Sequence, residues 1–117
     1  MLITPVINMS GNCERAIHYY EDVFCAKADF ILRYRDARPE DWNKPLTDEQ
    51  KEYVYHAEMK IGTQRFMFSD IIEFEIRNGN SLFLVVTFDT KEEVQRVYNA
   101  FLPESTILVP IHSTTYS

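Results

Sequence analysis

Apolar and polar residues alternate with period two along residues 51–70, KEYVYHAEMKIGTQRFMFSD, and the alternation breaks at Gly62-Thr63. Two strand-like runs joined at a short Gly-containing turn predict a β-hairpin. On the first run Val54, His56, Glu58 and Lys60 share one face, while Tyr53, Tyr55, Ala57, Met59 and Ile61 share the other. Upstream, residues 2–9 read as a short apolar strand. The Ser10-Gly11-Asn12 sequence then suits a helix start. Cys13, Ala16, Ile17, Tyr20 and Phe24 recur at helical spacing, so a helix is expected to about Phe24, with His18 on its solvated side. Residues 29–35 read as a further strand, with Phe30, Leu32 and Tyr34 on one side and Ile31, Arg33 and Arg35 on the other.

Residues 36–50, DARPEDWNKPLTDEQ, carry no apolar period and predict a long loop. Trp42 stands alone in it. It is expected to anchor the loop on the sheet, the competing role being that of a ligand lid. Residues 71–79 form an irregular connector ending in turn-prone Arg77-Asn78-Gly79-Asn80. The run SLFLVVTF, residues 81–88, is almost all β-formers and predicts a strand buried on both faces. Thr90-Lys91-Glu92-Glu93 has the form of a capping box, and Val94, Val97, Tyr98 and Phe101 supply the stripe of a second helix ending at Pro103. A last strand is expected over residues 106–111.

The totals narrow the function classes. A chain of 117 residues with 45% apolar and 14% aromatic content can bury a core as one domain. A net charge of −6, with no basic patch, argues against nucleic acid as a partner. The apolar runs are too short for a membrane span, and the N-terminus reads as a strand rather than a signal peptide, so a cytoplasmic protein with no membrane partner is expected. Cys13 and Cys25 lie about 18 Å of helical rise apart and cannot form a disulfide with each other.

The two helices repeat. Cys13, Ala16, Ile17 and Tyr20 each stand 81 positions before Val94, Val97, Tyr98 and Phe101. Each helix follows one apolar strand and precedes another, which points to two copies of a strand–helix–strand unit. The first copy extends to βαβββ, and the second stops short.

With the opening ITPVINMSGNCERAIHYYEDVF, the centre YHAEMKIGTQRFMFSD and the run NSLFLVVTFDTKEE, the chain resembles the PhnB-like branch of the vicinal-oxygen-chelate superfamily. That superfamily includes glyoxalase I, extradiol dioxygenases and bleomycin-resistance proteins. The resemblance implies an α+β fold in which two βαβββ modules form a cupped mixed sheet with helices outside. It implies one domain over residues 1–117, with module one at 1–70, a linker at 71–79 and module two at 80–117. Members of the branch continue beyond the region matching Ile111-His112-Ser113-Thr114 with an aromatic-rich loop and a final hairpin, so the resemblance implies a second module without its final hairpin within residues 80–117. Members commonly pair modules across two chains, and an incomplete module leaves strand edges for a partner, so a homodimer is expected.

The superfamily holds a divalent metal with one side chain from each of four strands. Matched residue by residue, the first position falls at Pro5 and the third at Phe83, neither of which can coordinate. The second falls at Glu58, and the fourth lies beyond the matched region. No metal or other cofactor is therefore expected. His56, Glu58 and His112 have the composition of a facial triad, but residues two apart on a strand are separated by about 7 Å and point in parallel.

Two functions from different classes follow. The first is a small-molecule-binding protein whose cup draws on Ile7, Met9, Lys60, Phe83, Val85, Thr87 and His112, with Trp42 as possible lid. The second is an enzyme acting on a small oxygenated substrate through His56 and Glu58. In that case a carboxylate beside the imidazole would favour its cationic form and an anionic ligand. The loss of metal positions favours binding. No nucleophile elbow, phosphate-binding loop or zinc-protease motif is present.

Overall fold

The computed structural model describes residues 1–116. The chain divides into two compact units, residues 1–83 and residues from 84 onward, and each is described by itself. The first unit is a βαβββ module. Its strands are β1 (Val6–Met9), β2 (Ala28–Arg33), β3 (Val54–Ile61) and β4 (Gln64–Asp70), and its long helix is α1 (Cys13–Phe24). The sheet order is β1-β4-β3-β2, with β1 parallel to β4 and the other two pairings antiparallel. Together with its helices this is an α+β architecture built on an open, mixed four-stranded sheet.

The hairpin forms where the alternation predicts it. Gly62 adopts φ +60°, a left-handed turn conformation that glycine enters without steric cost. The turn sets Ile61 opposite Gln64, and the remaining register follows from it. One sheet face packs against α1. Cys13 and Ile17 from the helix and Val54, Ala57, Met59 and Phe68 from the sheet form the fully buried core. Tyr20 lays its ring 6.0 Å from that of Phe68.

Three local features depart from the sequence expectation. Val54 belongs to the core although simple alternation sets it on the face of His56. The β2–β3 register slips between Leu32 and Arg33, and this bulge turns Val54 inward. After β2 the chain tightens into a 3₁₀ turn, Tyr34–Asp36, which buries Tyr34. Within the expected loop a short helix, α2 (Asp48–Lys51), is set by Thr47 and Gln50. The Thr47 hydroxyl accepts from the Gln50 N–H, and the Gln50 side chain accepts from the Thr47 N–H.

The start of α1 is held from a distance. Asn12 makes no side-chain cap. Instead Asp70, at the end of β4 and 1% exposed, accepts the N–H groups of Gly11 (2.7 Å) and Cys13 (3.1 Å) on Oδ1 and that of Val54 (2.9 Å) on Oδ2. One carboxylate thus ties the helix N-terminus to two neighbouring strands, where donors would otherwise be left unsatisfied. Burial beside Asp70 pushes the Cys13 thiol up to about 12. The Tyr34 hydroxyl donates to the Asp70 carbonyl at 2.6 Å and is likewise raised to about 12, chiefly by burial.

In the second unit the helix α3 (Lys91–Phe101) forms as expected, with the Thr90 hydroxyl accepting from the Glu93 N–H and Val97 buried. The two expected strands do not form. Residues 82–88 take no regular structure, residues 81–87 are exposed, and residues 106–111 are exposed and form no strand. A β-former run becomes a strand only when another strand takes up its main-chain groups, and among the described residues none does so here. The expected burial of SLFLVVTF on both faces is therefore corrected. No helix among the described residues is long and apolar enough to cross a membrane.

Candidate functional site

The face of the first-unit sheet turned away from α1 collects its polar side chains. In the register of β2, β3 and β4, Leu32 lies opposite His56, Glu58 lies between Phe30 and Met67, and Lys60 lies opposite Arg65. Directly opposed residues share a face, so these side chains form one surface.

His56 and Glu58 meet. His56 Nε2 lies 2.8 Å from Glu58 Oε2, so the expectation that the two side chains stay parallel and apart is corrected. The strand spacing of about 7 Å separates their Cα atoms, but a ring on one side and a three-carbon chain on the other close that distance. The second Glu58 oxygen, Oε1, accepts from Arg65 Nη1 at 3.2 Å, and the same nitrogen donates to Asp29 Oδ2 at 2.7 Å. A line His56–Glu58–Arg65–Asp29 therefore runs across three strands. The Asp29 hydrogen bond, with Glu58 in support, holds Arg65 still more firmly cationic. The His56 and Glu58 side chains are 33% and 20% exposed, accessible from solvent but not fully wetted. The Phe30 ring sits 5.8 Å from the imidazole and is itself exposed, giving the polar line an apolar border.

Arg65, Asp29 and Phe30 join this surface with no candidate chemical role assigned by the sequence pattern. A signal for Arg65 exists: a two-residue turn at Gly62-Thr63 fixes Lys60 opposite Arg65, one row from Glu58. Asp29 reaches the line through a slip in β2 between Ala28 and Phe30, which no local pattern announces.

The other expected lining residues are placed differently. Ile7 and Met9 pack against the α1-side core, not on the face turned away from the helix. Their partners in the parallel register, Phe68 and Asp70, decide this. Phe83, Val85 and Thr87 are exposed on the unpaired run. His112 lies in the second unit, exposed, with Nδ1 2.6 Å from the Ser113 carbonyl. Trp42 packs edge-on against Tyr34, centroids 5.0 Å apart, with Lys44 Nζ 5.5 Å from its ring centre. Its indole Nε1 is buried without a hydrogen-bond partner. Lys60 is exposed.

The donor set does not fit the divalent metal of the vicinal-oxygen-chelate enzymes. Pro5 and Phe83 have no ligating atom, and both Glu58 oxygens are engaged by His56 and Arg65. Among the described residues no three His, Cys, Asp or Glu side chains are grouped to hold a metal ion.

No family model matches the chain, and no curated protein matches it in sequence. Solved structures do. Protein PA1353 from Pseudomonas aeruginosa superposes with a TM-score of 0.83 at 21% identity, over 100% of this chain and 84% of that one. A putative 3-demethylubiquinone-9 3-methyltransferase, PhnB protein, from Bacillus cereus superposes with a TM-score of 0.79 at 27% identity, over 100% and 85% of the two chains. The fold is PhnB-like.

Proposed function

We propose that this PhnB-like chain is a small-molecule-binding protein of the vicinal-oxygen-chelate type, related in mode of action to the bleomycin-resistance proteins and working without the usual metal centre. The observation that carries this reading is the open sheet face, where the bonded line His56–Glu58–Arg65–Asp29 lies beside exposed Phe30. Ionisable side chains held in fixed geometry next to apolar surface are a combination that small-molecule sites use. A ligand laid on this face would find an acceptor, a donor and an aromatic wall within one strand spacing of each other.

A second reading is favoured by one specific contact. The 2.8 Å approach of His56 to Glu58 is the kind of oriented pair that enzymes of this fold type could turn on a small oxygenated substrate. The two readings separate by experiment. Thermal shift of the full chain against a panel of small aromatic alcohols and hydroxy acids, in the presence of EDTA, is expected to give stabilising hits. Those hits should weaken in Glu58→Gln and His56→Ala and be recovered unchanged after incubation. Chemical conversion of a hit, lost in both variants, would support the enzyme instead. An absence of hits unless zinc or nickel is supplied would overturn the metal-free reading.

A further inference from the structure

We propose, building on the binding reading above, that the open sheet face selects a small neutral phenol or aromatic alcohol over an anion. The ligand hydroxyl donates to Nδ1 of His56, and the ring lies on the apolar side chains that border the His56–Glu58 pair.

Three observations set this chemistry. The first is the direction of the hydrogen bond inside the pair. His56 Nε2 lies 2.8 Å from Glu58 Oε2, and the other Glu58 oxygen accepts from Arg65. A carboxylate oxygen only accepts, so the shared proton sits on Nε2. The neutral ring carries one N–H, which leaves Nδ1 as a lone pair. Nδ1 makes no hydrogen bond among the described residues, and the side chain is 33% exposed. A partner for it must bring a proton. The second is charge. Two carboxylates, Glu58 and Asp29, meet two cations here: Arg65, which bridges both, and exposed Lys60 opposite it. With His56 neutral no surplus positive charge remains to offset the desolvation of an anion, whereas a neutral hydroxyl loses far less on leaving water. The third is apolar surface. Leu32 lies opposite His56, and Glu58 lies between Phe30 and Met67. Phe30 is exposed and the other two are half-buried, so an aromatic ring has surface to cover.

A carboxylate received by a cationic His56 is the less favoured occupant. It would sit beside Glu58, a charge of its own sign whose two oxygens are already engaged. A methyl ether of the same body keeps the ring but brings no proton, so it isolates the part played by the hydroxyl.

NMR of the full chain with 4-ethylphenol, its methyl ether 4-ethylanisole and the anion 4-ethylbenzoate tests this. Long-range ¹⁵N spectra of the imidazoles, taken on the alkaline side of the His56 titration seen in the same spectra, should show the Nε2–H tautomer in the free protein. The phenol should shift His56 Nδ1 and the Phe30 and Met67 amides saturably. The ether, the anion and the variant His56→Phe with the phenol should each bind about three- to tenfold more weakly, the loss of one hydrogen bond. An Nδ1–H tautomer, or an ether or anion that binds this face as well as the phenol, overturns this inference and leaves the binding reading standing. A face that none of the three compounds shifts overturns the binding reading and this inference with it.

Discussion

Asp70, the last residue of β4, caps Cys13, the first residue of α1, across 57 positions of sequence. The same carboxylate holds the N–H groups of Gly11 and Val54, so the helix, the third strand and the fourth strand meet at one buried charge. Removing it should cost more than a surface cap. Asp70→Ala strands three donors and is expected to destabilise the protein by about 2–4 kcal/mol in urea unfolding, with Asp70→Asn intermediate. A loss under about 0.5 kcal/mol for the alanine variant would show that water or a local rearrangement replaces the cap.

Gly11 and Cys25 bracket the helix with opposite expectations. Gly11 has φ +96°, and a Cβ there would lie 2.8 Å from the Tyr53 hydroxyl, so Gly11→Ala should destabilise. Cys25 follows the helix in the left-handed conformation at φ 52°, a position where glycine is preferred. Cys25→Gly should therefore stabilise by about 0.5–1 kcal/mol. Thiol labelling adds a check: Cys25 is exposed and should react fast, while buried Cys13 should react only on unfolding.

Stability should depend on pH through α1 and its contacts. The Arg33 hydrogen bonds hold Glu14 below the usual carboxylate range, and the His18 and Ala28 contacts do the same for Glu21. Their stabilisation is present above about pH 4.5 and is lost as pH falls through their lowered values. His18 is raised, first by Glu21, so its contribution is present below about pH 6.5 and is lost as pH rises through the raised value. Cys13, held neutral to about 12, contributes below about pH 9 and loses that contribution between 9 and 12. Urea midpoints should therefore be highest near pH 5–6, decline gently above that, and fall steeply in alkali. Glu14→Gln and Glu21→Gln together should flatten the acid limb.

The proposed homodimer rests on a different feature. Leu82, Phe83, Leu84, Val85 and Val86 are contiguous, apolar and exposed. Such a run, together with the one-sided β1, is a template for pairing with a second copy. Light scattering should give a mass twice that of one chain at micromolar concentration, and Val85→Lys should shift it toward one. A single-chain mass for the parent would contradict this.

What the sequence allowed to be read depended on how local the controlling contact was. The hairpin at Gly62-Thr63 and the α1 stripe are fixed by neighbours, and both formed as read. Val54 and the pair Ile7 and Met9 were set on the wrong face because their orientation depends on a bulge against Arg33 and a parallel register with Phe68. The VINM strand has apolar residues at both parities, so alternation alone could not choose a side. SLFLVVTF has the composition of a buried strand, but among the described residues no strand takes up its main chain. On the open sheet face, His56 and Glu58 stand out by residue type, whereas Arg65 and Asp29 reach them only through cross-strand geometry.

The proposed function requires the open sheet face to take up a small molecule with no metal present. Amide shift mapping of the full chain in EDTA, against the panel of aromatic alcohols and hydroxy acids, tests it most directly. Shifts clustered on Phe30, His56, Glu58 and Arg65, abolished in Glu58→Gln, are the predicted result. Shifts that leave this face untouched, or that reach it only after zinc or nickel is supplied, would contradict the claim.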